Sequence, residues 1–163
     1  MTGLDGTKPD GFKPDVPAPD EITGPWWDAT REHRLVLQTC PSCAGGDQPA
    51  AQHPPRALCI RCGSAELGWA DAAGTGVVDA CTVVHRAPRP DLAVPYVIAR
   101  VRLDEGVVLL TRLQDREPGE WRIGDPVRVA WADLDDGRAL PVFVPGAAPS
   151  PATAPSPETK EGN

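Results

Sequence analysis

The chain has 163 residues, a net charge of −7 and aromatic side chains at only 5% of positions. That length gives one domain, or a small module joined to a larger one. The acidic balance disfavours an electrostatic grip on nucleic acid. No apolar run approaches a membrane span or opens a signal peptide, so the expected compartment is the reducing cytoplasm.

Residues 1–21 are rich in Pro, Gly and Asp and predict a disordered arm, in which Phe12 is a candidate anchor for a partner. Thr23-Gly24-Pro25 then predicts a helix start, with proline at an early helical position and Asp28 in the first turn. Trp26, Trp27, Thr30 and Arg31 recur at helical spacings. Two adjacent tryptophans are not expected to share one small core. Trp26 and Trp27 are therefore read either as packed within the chain or as a partner interface. Leu35-Val36-Leu37-Gln38-Thr39 predicts a short strand that delivers Cys40.

Cys40-Pro-Ser-Cys43 and Cys59-Ile-Arg-Cys62 are two C-x-x-C knuckles separated by fifteen residues. This is the spacing of a structural zinc ribbon. Each knuckle aims two sulfurs at one point, and two facing knuckles close a tetrahedron of thiolates around the metal. Small residues after each knuckle (Ala44-Gly45-Gly46 and Gly63-Ser64) let backbone N–H groups turn back toward the sulfurs. Arg56 and Arg61 are near enough in sequence to offset part of the thiolate charge. With Cys40, Cys43, Cys59 and Cys62 all supplied, no coordination position stays open, so the metal is expected to hold structure and not to do chemistry. Iron in a rubredoxin-like site would use the same four sulfurs. A pair of disulfides or a redox dithiol fits the pattern less well. His53 lies in the loop between the knuckles and reads as a bystander.

From Gly74 onward the pattern changes to strands. Gly76–Val84 is the first, with the fifth cysteine, Cys81, read as a small buried hydrophobe. A cationic loop, His85-Arg86-Ala87-Pro88-Arg89-Pro90, follows. Tyr96–Leu103 alternates, with Val97, Ala99, Val101 and Leu103 on one face and Tyr96, Ile98, Arg100 and Arg102 on the other. Asp104-Glu105-Gly106 predicts a hairpin with glycine in the left-handed position, and Val107–Leu113 returns. Gln114–Gly124 is a polar connection in which Trp121 and Ile123 are the expected inward contacts. Val127–Trp131 and Ala139–Val144 complete five strands, and Pro141 suggests that the last is an edge. The expected fold class is mainly β: a short N-terminal helix, a four-cysteine zinc ribbon, then a five-stranded OB-fold barrel. A five-stranded sandwich fits the strand pattern nearly as well. The expected divisions are 1–21 arm, 22–73 helix and ribbon, 74–145 barrel and 146–163 disordered tail.

Segment 22–145 resembles the OB-fold, acyl-CoA-associated proteins with an N-terminal rubredoxin-like zinc ribbon, a family long labelled a domain of unknown function. The resemblance runs through Pro25-Trp26-Trp27, Leu35-Val36-Leu37-Gln38-Thr39-Cys40, Pro54-Pro55-Arg56 and Cys59-Ile-Arg-Cys62-Gly63-Ser64. It continues through Gly74-Thr75-Gly76-Val77-Val78, Val83-Val84-His85-Arg86, Pro95-Tyr96-Val97, Leu103-Asp104-Glu105-Gly106, Ile123-Gly124-Asp125-Pro126-Val127 and Leu140-Pro141-Val142-Phe143. The loop between the knuckles is long for the family, and Ala44 stands where glycine is common.

The resemblance implies a hetero-oligomer with a thiolase-like or aldolase subunit that carries the catalytic residues. This chain would support assembly and help shape an acyl-CoA channel, including in steroid or branched side-chain degradation. The residues agree: no nucleophile with a paired base and no phosphate-binding glycine loop is present, so no catalysis is expected of the chain alone. If CoA is touched, Arg86 and Arg89 are the candidates for its phosphates and Tyr96 for stacking on its adenine. The competing functions are a single-stranded nucleic-acid module, an iron electron carrier and a standalone acyl-CoA binder. The first needs a basic groove with aromatic platforms, which the composition does not supply.

Overall fold

The structure, a computed structural model, describes residues 16–46, 50–88 and 92–147. Phe12, Arg89 and the tail from 148 lie outside the described residues.

Helix α1 (Gly24–Arg31) carries Pro25 in its first turn, where the missing N–H is not needed. Just upstream, the Asp20 carboxylate accepts from the backbone N–H of Thr23 at 2.7 Å and of Ile22 at 3.0 Å. The helix ends at Arg31, and His33, with a φ of 54°, reverses the chain toward strand β1 (Val36–Thr39).

Strands β2 (Ala51–Gln52) and β3 (Gly68–Asp71) flank β1, so the ribbon is a three-stranded antiparallel sheet in the order β2-β1-β3. A strand as short as β2 leaves no periodicity to read in the sequence.

Five further strands form a closed barrel: β4 (Thr75–Val84), β5 (Tyr96–Leu103), β6 (Val108–Leu113), β7 (Pro126–Asp133) and β8 (Ala139–Pro145). Their order is β4-β5-β6-β8-β7, and β7 pairs back onto β4. This is the OB connectivity, with β8 set between β6 and β7. Closure removes the sandwich alternative. The β5–β6 hairpin turns where the sequence places it: Gly106 has φ 77°, and Leu103 N–H donates to Val107 O at 2.9 Å. Gly76 is required by packing, because a Cβ there would lie 2.3 Å from the Arg102 carbonyl oxygen.

Two expectations are corrected. Pro141 does not mark a free edge, since β8 pairs with β7 along its length and opposes Trp131 at the proline. The proline is tolerated because the β6–β8 seam has a single backbone pairing, Leu113 with Phe143, and so demands no N–H from residue 141. The Thr111 hydroxyl bridges that seam instead, donating to the Pro141 carbonyl at 2.8 Å. Ile123 does not point inward and is 73% exposed. The chain turns at Arg122–Asp125, where the Asp125 carboxylate accepts from Arg122 N–H at 2.9 Å. Alternation therefore stops after Trp121, which is buried, and Ile123 lands on the outer corner.

The main core joins both modules. Leu35 and Leu37 from the ribbon pack with Val78, Val97, Val101, Leu103, Leu109, Val127 and Phe143 of the barrel, and Cys81 lies half-buried against them. Val36, on the opposite face of β1, enters a second cluster with Trp26, Trp27 and Ala29. Both tryptophans are packed within the chain, 8% and 7% exposed, so the expectation that they cannot share one small core fails. They fit because their rings meet edge to face, 4.6 Å between centroids and 76° apart.

Buried Arg138 closes this cluster from the β7–β8 turn. Its guanidinium lies 4.4 Å over Trp27 and donates to the Pro17 carbonyl at 2.6 Å, and Asp136 neutralises it at 2.7 Å. That partner holds the Asp136 carboxyl below its ordinary pKa.

Candidate functional site

The four knuckle cysteines converge: the sulfurs of Cys40, Cys43, Cys59 and Cys62 all lie within 4.8 Å of one another. Cys40 Sγ is 3.6 Å from Cys62 Sγ, and Cys43 Sγ is 3.8 Å from Cys59 Sγ. A tetrahedron with metal–sulfur bonds of about 2.3 Å has edges of about 3.8 Å, so the cage is sized for one tetrathiolate metal ion. His53 is not part of this cluster, and Cys81 lies in the barrel.

The knuckles are built differently. The first is a short 3₁₀ turn, Pro41–Cys43, in which Cys43 N–H donates to the Cys40 carbonyl at 3.1 Å. Burial raises the Cys40 pKa, and the thiol contact with Cys62, reinforced by burial, pushes Cys43 up to about 12. In the second, the backbone N–H groups of Cys62 and Arg61 donate to the Cys59 sulfur and bring its pKa down to about 6. Gly63, at φ 73°, supplies the left-handed turn that closes the knuckle: its N–H donates to the Cys59 carbonyl at 3.0 Å, and Cys59 N–H donates to the Ser64 carbonyl at 2.8 Å. A dipositive ion would displace the protons of all four thiols, since thiolate is the ligand form.

Sequence reasoning missed the residues behind this cage. Gln38 and Gln52 are cross-strand partners on β1 and β2, 5% and 4% exposed. Gln52 Nε2 donates to Gln38 Oε1 at 2.6 Å, and both amides bond the backbone of segment 56–60, which carries Cys59. Alternation along β1 was the available signal: Gln38 shares a face with buried Val36, an uncommon place for an amide without partners.

Away from the cage, Tyr96 and Arg86 lie at one end of the β4–β5 ladder, where Tyr96 opposes Val84 and exposed Arg86 follows two residues later. Arg112 on β6, not singled out from sequence, stacks its guanidinium 4.6 Å over the Tyr96 ring. Burial pulls the Arg112 pKa below its ordinary value. The hairpin register predicts this contact, because Ile98 opposes Arg112 and places Tyr96 diagonally beside it. A groove of about 310 Å³ continues from Arg112 along Leu110, Pro141 and Val142 to Trp26 and His53. His53 is largely buried there, 5.8 Å from Trp26, and burial takes its pKa down to about 4.

Comparison with known proteins accounts for both modules. Residues 27–68 match the ChsH2 rubredoxin-like zinc ribbon domain, and residues 69–132 match the ChsH2 C-terminal OB-fold domain. Among solved structures, the fold is similar to a chain of the "Ltp2-ChsH2(DUF35) aldolase". The TM-score is 0.71 at 38% identity, covering 80% of this chain and 98% of that one. The chain belongs to the ChsH2-type DUF35 family.

This DUF35 chain is also 30% identical to a "DUF35 domain-containing scaffold protein" of Pyrococcus furiosus, over 68% of its own length and 78% of the relative's. It is 34% identical to the "3-oxo-4,17-pregnadiene-20-carboxyl-CoA hydratase alpha subunit" of Mycobacterium tuberculosis, over 82% of its length. It spans about two fifths of the length of the hydratase alpha subunits it matches.

Proposed function

We propose that this chain is a non-catalytic scaffold subunit of a hetero-oligomeric enzyme acting on acyl-CoA, with a thiolase-like aldolase as the partner that carries out the chemistry. The observation that carries this reading is the likeness to nearly the whole DUF35 chain of an Ltp2-ChsH2(DUF35) aldolase. The steroid-CoA hydratase relative favours a steroid or other branched acyl side chain as the substrate class. The tetrathiolate cage holds zinc in a structural role, and the complex works in the cytoplasm. No helix among the described residues is long and apolar enough to cross a membrane.

On this reading the Tyr96–Arg112 pair and Arg86 face the CoA moiety, with Arg89, outside the described residues, from the same loop. An aromatic ring backed by a cation suits adenine, and guanidinium groups suit phosphate. Trp26 contributes through the groove it lines, not through an exposed ring. The hydratase relatives supply a second reading, in which the partner is a hydratase subunit.

Affinity purification of the tagged chain from its native cells, with mass spectrometry of the stoichiometric partner, separates the two. A thiolase-like chain supports the aldolase reading, and a hydratase subunit supports the second. Co-purifying nucleic acid, with neither protein present, refutes both.

A further inference from the structure

We infer that Gln38 and Gln52 form a metal-independent lock that assembles the second knuckle on the ribbon sheet, so that the metal fills a cage already built. The two side chains are nine-tenths buried and satisfied by one another and by backbone. Gln38 treats Arg56 as a neighbouring strand would, accepting from its N–H at 2.9 Å and donating to its carbonyl at 2.9 Å. Gln52 grips both sides of Cys59: Nε2 donates to the Leu58 carbonyl at 3.3 Å, and Oε1 accepts from Ile60 N–H at 2.9 Å. Because β1 also delivers Cys40, whose N–H donates to the Ala50 carbonyl at 2.9 Å, one sheet positions a ligand from each knuckle.

None of these bonds passes through a sulfur. Many small zinc modules are unfolded without their metal because nothing else fixes their ligands. Here the polar contacts, together with Leu35 and Leu37 anchored in the barrel core, replace that dependence.

The proposal rests on the cage binding a metal at all, and the test keeps the two apart. Zinc affinity is measured on the full chain by chelator competition, and hydrogen exchange at Arg56 and Ile60 N–H is followed by NMR before and after the metal is stripped. Those two amides should stay protected in the metal-free wild type. Gln52→Leu removes the acceptor of Ile60 N–H, so it should lose the protection at Ile60 and weaken zinc binding about 10- to 100-fold, the usual effect of removing a group that orients metal ligands. Gln52→Glu keeps the acceptor for Ile60 N–H but loses both donated bonds, and it should fall between the two; it decides the matter if the leucine variant also loses protection at Val101 in the barrel. Loss of protection at Arg56 and Ile60 on stripping the wild type, or unchanged zinc affinity in both variants, overturns the lock. A wild-type chain that takes up no zinc refutes the metal reading itself.

Discussion

The ribbon and the barrel reach order by opposite means. The barrel closes around Val78, Val97, Val101, Leu103, Val127 and Phe143, side chains almost wholly removed from water, and its strands need little beyond the alternation that puts those residues inside. The ribbon has too few apolar residues for a core of its own. Between Cys40 and Gly68, the buried side chains among the described residues are Gln52 and Cys59. It is held by amides, by thiols and by what it borrows from the barrel through Leu35 and Leu37. A small module can thus dispense with its own hydrophobic core when one of its strands is shared, with one face of β1 in the barrel core and the other turned to the tryptophan cluster and the knuckle.

The sharpest way to break that contrast is to empty the barrel. Phe143→Ala should cost about 4 kcal/mol, the usual range for deleting a buried phenyl ring. Denaturant titration should show the barrel and ribbon signals lost together, because the ribbon leans on this core. Leu37→Ala tests the join from the other side. The side chain belongs to the ribbon but is fully enclosed by the main core, so the loss should be about 3 kcal/mol and should lower the barrel's midpoint too. Separate transitions, with the barrel unmoved by Leu37→Ala, would mean that the modules are independent.

Acid should act mainly on the ribbon side. Largely buried against Trp26, His53 has its pKa lowered to about 4 from its ordinary 6.5, so the unfolded chain takes a proton that the folded chain refuses. Stability is therefore highest above pH 6.5, falls as pH drops from 6.5 to 4 and levels off below 4. At about 1.4 kcal/mol per pH unit the full loss is about 3 kcal/mol. Subtracting the pH profile of His53→Gln isolates this from proton competition at the thiolates; identical slopes in the two proteins would refute the assignment.

The smallest effect is expected on the barrel's outer face. Arg112→Ala removes the cation stacked on Tyr96, worth about 1 kcal/mol or less in stability. In a reconstituted complex, the same change together with Arg86→Ala should weaken acyl-CoA binding while leaving zinc content and partner assembly intact. Unaltered acyl-CoA affinity would remove these residues from the CoA reading.

Much of the plan is local and therefore legible in the chain. Pro25 and the residues before it start α1, Gly106 sets the β5–β6 hairpin, and period-two alternation in β5 names its inward face. The paired C-x-x-C turns identify the metal cage, because ligand spacing within a knuckle is a property of a few consecutive residues. What sequence could not supply depends on residues far apart in the chain. Trp26 and Trp27 share a cluster only because Arg138 from the β7–β8 turn and Leu140 at the start of β8 arrive to cover them. Pro141 is compatible with a closed barrel because the β6–β8 seam asks no N–H of it, and Arg112 meets Tyr96 only once β5 and β6 are in register. Gln38 and Gln52 are ordinary surface residues by composition, and tertiary contact turned them into a buried brace for Cys59. The turns, the alternation and the ligand set follow from backbone and side-chain preferences over a few residues, so they can be read from the chain. Which polar groups are buried and paired depends on contacts between distant segments, since a buried amide is tolerated only where the fold brings it partners.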